Sequence, residues 1–131
     1  MKELICVFLG GGVGSSMRYL VSQAWRCYVA AQPSPSGVSP FPWPTLIANV
    51  LGCFLIGLFY EYSQTWGLSP QLRLLLTTGL CGGFTTFSTF SYEGLTFLNQ
   101  GNVMLYAVYT LVSIVLGIGA CLLPHICHSM G

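Results

Sequence analysis

Four stretches of this chain run almost without charge: Leu4 to Trp25, broken only by Arg18; Thr45 to Tyr60; Leu74 to Tyr92; and Val103 to Leu123. Crossing a hydrocarbon core of about 30 Å takes about 20 helical residues at 1.5 Å each, so each stretch reads as a membrane span. A chain of 131 residues with four basic side chains, three acidic ones and no Asp cannot clothe a soluble globule. The intervening segments Gln32 to Pro44, Thr65 to Gln71 and Asn99 to Asn102 hold the Pro and Gly that end helices. The expectation is an all-α membrane protein, a single domain over residues 1–131 with four transmembrane helices at about 4–25, 45–60, 74–92 and 103–123.

Charge gives this topology almost no direction. Lys2 and Arg73 fall on one side, Arg26 on the other, and Arg18 lies inside the first span, so the positive-inside bias is close to nil. Such a chain can insert both ways up, and the two orientations can pair as an antiparallel dual-topology homodimer. Four short helices are also too thin to enclose a polar route and still shield it from lipid, which independently favours an oligomer. Gly10 to Gly14 and Gly79 to Gly83 have the G-x-x-x-G spacing that lets helices approach closely, whether for ordinary packing or a specific role.

Several functions drop out. No Lys or Arg run offers nucleic acid a footprint. Gly10 to Gly14 looks superficially like a phosphate loop, but no strand precedes it and no Lys-Ser/Thr follows. The six cysteines include no C-x-x-C pair and read as buried thiols. Cys121, His125, Cys127 and His128 cluster near the end, yet with no second ligand group elsewhere they read as a juxtamembrane tail rather than a metal site. Arg18 inside the first span, with three spans after it, argues against a cleaved signal. Without paired carboxylates or a His inside a span, there is no general acid or base for an enzyme. A small proton-coupled drug exporter of dual topology is the alternative, but it needs a carboxylate deep in a span, whereas Glu61 and Glu93 stand at span ends.

Polar residues inside the spans carry the functional reading, because they face a partner, a cavity or a permeant species. Arg18 either snorkels to the interface or offers charge to an anion. The Asn49 amide supplies N–H donors, for an anion or for a neighbouring helix. Span three is exceptional: GLCGGFTTFSTFSYEG, Gly79 to Gly94, packs four glycines and five Ser/Thr hydroxyls into sixteen residues. Gly82-Gly83 predicts a break at mid-membrane depth, whose freed carbonyls, near Gly82 and Thr85, suit a cation shared by two subunits. Phe84, Phe87 and Phe90 lie three apart, either as a packing stripe or with positive ring edges toward an anion. Thr85, Thr86, Ser88, Thr89 and Ser91 interleave as donors, span four adds Tyr109, Ser113 and Gly117 on one stripe, and Glu93 closes this lane of neutral donors.

Four motifs together resemble the CrcB/Fluc family of small fluoride channels: GGGVGSSMRY (Gly10 to Tyr19), TLIANVLGCFLIG (Thr45 to Gly57), GLCGGFTTFSTFSYE (Gly79 to Glu93) and Y-x-x-x-S-x-x-x-G from Tyr109. The resemblance implies passive, selective fluoride export across the bacterial inner membrane by a dual-topology homodimer with two antiparallel pores. It implies that Asn49, Phe87 and Phe90 line the pores, joined by Tyr109 and Ser113, with the hydroxyls of Thr86, Ser88 and Thr89 on the same pathway. Arg18 would sit near an entrance, Glu93 along the fluoride path, and the carbonyls of Gly82 and Thr85 would hold a structural Na+ at the dimer interface. Ser15-Ser16, Ala48 and the long Pro/Ser-rich first loop depart from the family pattern, and none of them touches these motifs.

Overall fold

The computed structural model describes residues 1–31 and 41–131, so most of the Pro/Ser-rich stretch from Gln32 to Pro44 lies outside the described residues. Every regular element among the described residues is a helix. α1 spans Lys2–Ala30 and α2 Trp43–Tyr62; α3, Pro70–Leu74, runs into a π-helical stretch, Leu75–Cys81. α4, Gly82–Phe84, is followed by two extended residues, then α5, Phe87–Asn99, and α6, Val103–Met130. Three of these, α1, α2 and α6, are long and apolar enough to cross a membrane.

The ends of the helices follow from local chemistry. Two turns close as Schellman motifs on a left-handed glycine: Gly67 (φ 62°) with Leu68 N–H on the Ser63 carbonyl, and Gly101 (φ 73°) with Asn102 N–H on the Phe97 carbonyl. Ser69 caps α3 by accepting from Leu72 N–H at 3.2 Å, and Pro70 stands where its missing N–H costs nothing. Pro124 is carried inside α6, which continues to Met130. The segment read as a juxtamembrane tail is therefore the last two turns of this helix.

Gly82 and Gly83, where sequence places the interruption, are helical. The extended residues are Thr85 (ψ 158°) and Thr86 (φ −150°, ψ 116°). The glycines serve close packing instead. α1 lies along the π-helical stretch and α4, and a Cβ on Gly10 or Gly14 would collide with backbone there, including Leu80 N at 2.9 Å and Phe84 N at 2.8 Å. Gly83 faces the Gly11 backbone in the same seam. On the other side α2 runs along α6, where a Cβ on Gly57 would meet the Cys121 carbonyl at 2.6 Å. Both seams depend on small residues, the means by which helices gain dispersion contacts when lipid removes any hydrophobic drive between them.

The buried core is small: Leu46, Ala48, Cys81, Phe84, Phe97 and Tyr109. Long apolar side chains cover the outside, as expected where the solvent is hydrocarbon.

Candidate functional site

The site is organised by the extended pair Thr85-Thr86. Asn49, from the middle of α2, grips this backbone with both ends of its amide. Its Nδ2 donates to the Thr86 carbonyl at 3.1 Å, and its Oδ1 accepts from Thr86 N–H at 2.7 Å. In a continuing α-helix that N–H would bond to the Gly82 carbonyl, so the clamp diverts the donor which would have kept the helix unbroken. The Thr86 hydroxyl then caps α5, accepting from Thr89 N–H at 3.3 Å and donating to Thr89 Oγ1 at 3.1 Å, with Ser88 Oγ 3.3 Å away. Helix α5 thus starts at Phe87 because a side chain from α2 and a cap from Thr86 agree on that point.

Beside the clamp opens a cavity of about 340 Å³, whose lining includes Asn49, Thr85, Thr86, Phe87, Phe90 and Ser113. The Ser113 hydroxyl is buried without a partner among the described residues. The Phe87 and Phe90 rings stand 6.0 Å apart, and Phe90 reaches on to Tyr109 at 5.0 Å. Phe87 is 79% exposed, an aromatic side chain displayed on the outside of a single chain.

Tyr109 is fully buried, edge-on to Phe41 and Phe97. Its hydroxyl donates to Glu93 Oε2 at 2.7 Å, and the Thr45 hydroxyl donates to Glu93 Oε1 at 2.6 Å. Both carboxylate oxygens are thereby occupied, and Glu93 is anchored beside the cavity rather than in its wall. Ser88 and Thr89 likewise belong to the cap of Thr86 and not to the cavity lining.

Arg18 lies across the α1 seam. Its Nε donates to the Gly83 carbonyl at 3.3 Å, and Ser15 Oγ joins at 3.4 Å. The cation therefore holds the backbone just before the extended pair. Gly82 is on the exposed side of α4, and the extended Thr85 takes its carbonyl out of the helical ladder. Backbone carbonyls are oxygen donors of the kind a hard cation accepts.

Sequence reasoning missed three members. Thr45 holds Glu93; Gly52 lets Thr85 pack against α2, where any Cβ would run into Thr85 Cγ2; and Cys53 lines the cavity. The first two were visible as a stripe, since Thr45, Asn49, Gly52 and Ile56 follow i, i+4, i+7, i+11 on one face of α2. Sequence also missed the hydrogen-bonding partner of the carboxyl-terminal histidines, although no group of three or more potential metal ligands is assembled among the described residues. Glu61, at the end of α2, meets His125 Nδ1 and His128 Nδ1 at 3.0 Å each.

Helices long enough to span a bilayer, a polar backbone clamp between them and an aromatic cavity beside it define a multi-pass membrane protein built around an internal polar site. The family model described as CrcB-like protein, Camphor Resistance (CrcB), matches residues 5–125, and the chain belongs to this family. It is 47% identical over 122 residues to a protein of Bacteroides fragilis named Fluoride-specific ion channel FluC, covering 93% of this chain and 92% of that one. Proteins of the same name from Phocaeicola vulgatus (46% over 119 residues, 90% and 91% covered) and Leptospira interrogans (47% over 119 residues, 90% and 87% covered) are similarly close. Nothing in these relatives favours a drug exporter.

Proposed function

We propose that this protein is a passive fluoride channel of the bacterial inner membrane, working as an antiparallel homodimer of four-span chains inserted in both orientations. The observation that carries the reading is the cavity where the Asn49 amide, the unpartnered Ser113 hydroxyl and the Phe87 and Phe90 rings converge without a carboxylate in the lining. The third span of each chain is the run α3 to α5, interrupted at Thr85-Thr86. The exposed Phe87 and Gly82 support a second chain covering that face, as does the near-even split of basic residues.

Fluoride is small and strongly hydrated, so passage requires donors that replace its water step by step without holding it. Asn49 spends one Nδ2 N–H on the Thr86 carbonyl and keeps the other for the ion. Ser113 offers a hydroxyl with no competing acceptor. The edges of Phe87 and Phe90 carry partial positive charge and leave little room for water, which disfavours a larger halide. Thr45 and Tyr109 hold the Glu93 carboxylate aside, so its charge does not stand in the anion's way. Thr86, Thr89 and Ser88 fix the start of α5, and so the angle at which the two rings meet the cavity.

A sodium ion on the Gly82 and Thr85 carbonyls fits this arrangement. The clamp has removed the helical donor from the Gly82 carbonyl, and a second chain would double the two oxygens offered by the first. Such an ion would supply the fixed positive charge that ties two interrupted spans together.

The test is efflux from liposomes loaded with fluoride or with chloride and read by ion electrode. Fluoride release without chloride release is expected, and vesicles as tight to fluoride as protein-free ones overturn the proposal.

A further inference from the structure

Cys53 on α2 and Cys121 on α6 are brought together in the α2–α6 seam. The Cys121 thiol donates to the Cys53 carbonyl at 3.2 Å, which sets the two side chains next to each other in the seam. The helices cannot drift apart there without losing the contact of Gly57 with the Cys121 backbone, or that of Gly117, whose Cβ would stand 3.6 Å from the Cys53 sulfur. Cys53 also lines the cavity assigned above to fluoride. Two thiols packed into one seam, one of them reachable from a cavity, are a candidate ligand pair.

We propose that Cys53 and Cys121 form a two-sulfur site for a soft monovalent cation, of which silver(I) and copper(I) are the chemical class, at the edge of the cavity where Cys53 forms part of the wall. Thiol sulfur is a soft donor that selects such ions over sodium, magnesium or calcium, which take oxygen. A site of two sulfurs suits ions that accept two ligands in a line. Charge decides the valence. As the cation binds, one thiol loses its proton to water and its sulfur bonds to the metal, while the other coordinates through a lone pair with its proton retained. The product is neutral and no electron moves, which is the form a low-dielectric seam tolerates; a divalent ion would leave net charge there. A cation seated in this wall obstructs the route, so the channel is inhibited by soft cations. That consequence rests on the fluoride reading, whereas the binding site does not.

The test uses the full-length protein and Ag+ in chloride-free buffer, with binding and flux read separately. At one equivalent of Ag+, X-ray absorption at the silver edge is expected to report two sulfur neighbours. Mass spectrometry after maleimide labelling is expected to find Cys53 and Cys121 protected, and Cys27 and Cys127, both exposed, still labelled. Cys53→Ala and Cys121→Ala should each weaken binding, and raise the Ag+ concentration for half-inhibition of fluoride efflux, by about tenfold or more, because the second sulfur no longer acts intramolecularly. Cys27→Ala and Cys127→Ala should change neither. Each variant is checked for an unaltered melting curve, and the two small truncations on different helices guard against one failing to fold. Unchanged Ag+ affinity in both seam variants overturns the site. Two-sulfur binding with undiminished fluoride efflux overturns the placement in the route. Absence of fluoride efflux from untreated protein sinks the channel reading and leaves the binding arm to decide the metal site.

Discussion

Replacing Asn49 by alanine separates a residue that only touches the ion from one that also builds the site. The substitution deletes two interhelical hydrogen bonds, 3.1 Å and 2.7 Å long, and leaves the Thr86 N–H and carbonyl without the partner that fixed them. Interhelical bonds in membranes are worth about 0.6 kcal/mol on average and up to about 1.7, so the pair contributes about 1–3 kcal/mol. At 1.4 kcal/mol per factor of ten, a midpoint of about 2 kcal/mol lowers the equilibrium constant for holding the Thr85-Thr86 geometry by roughly thirtyfold. The expected result is a clear fall in melting temperature together with loss of fluoride efflux. Asn49→Asp sharpens the reading. It keeps an acceptor for Thr86 N–H, loses the donor to the Thr86 carbonyl and puts negative charge in the cavity, so flux should vanish while stability falls less than in the alanine variant. Efflux is measured by electrode in liposomes and stability by thermal unfolding in detergent. An alanine variant that melts with the wild type would refute the clamp, whatever its flux.

Four further outcomes follow. Gly10→Ala and Gly14→Ala should destabilise the α1 seam and lower the yield of folded protein on size exclusion, whereas Gly12→Ala, with nothing within 4 Å of its Cβ, should be silent. Phe87→Ile and Phe90→Ile should each cut fluoride efflux by about fivefold through loss of a positive ring edge worth about 1 kcal/mol, and unchanged flux from both would count against the aromatic role. Tyr109→Phe leaves Glu93 Oε2 without its donor, a loss of about 1–3 kcal/mol that should appear as a lower melting temperature. Replacing sodium by a larger alkali ion should weaken the dimer and the flux together; neither changing would remove the cation from the Gly82 and Thr85 carbonyls.

The sequence alone determined where this chain can meet hydrocarbon, because a near-absence of charge over long apolar runs leaves few other solvents for it. It also exposed the unusual third run, since glycines, hydroxyls and phenylalanines crowded into one segment are a poor recipe for a plain helix. It misplaced the interruption by a few residues, and the reason is physical. Glycine weakens a helix by propensity, but at Gly83 the absent side chain serves contact with the Gly11 backbone, while the actual departure from helix is enforced from outside by Asn49, far away along the chain. The partners of Glu93 and Glu61 are of the same kind: Thr45 and Tyr109 close on one, His125 and His128 on the other, each from helices remote in sequence. Solvent preference is a sum over neighbours along the chain and can be read from it. Which hydrogen bond a freed backbone group makes depends on what α2, α4, α5 and α6 bring within 3 Å of it, and only their packing decides that.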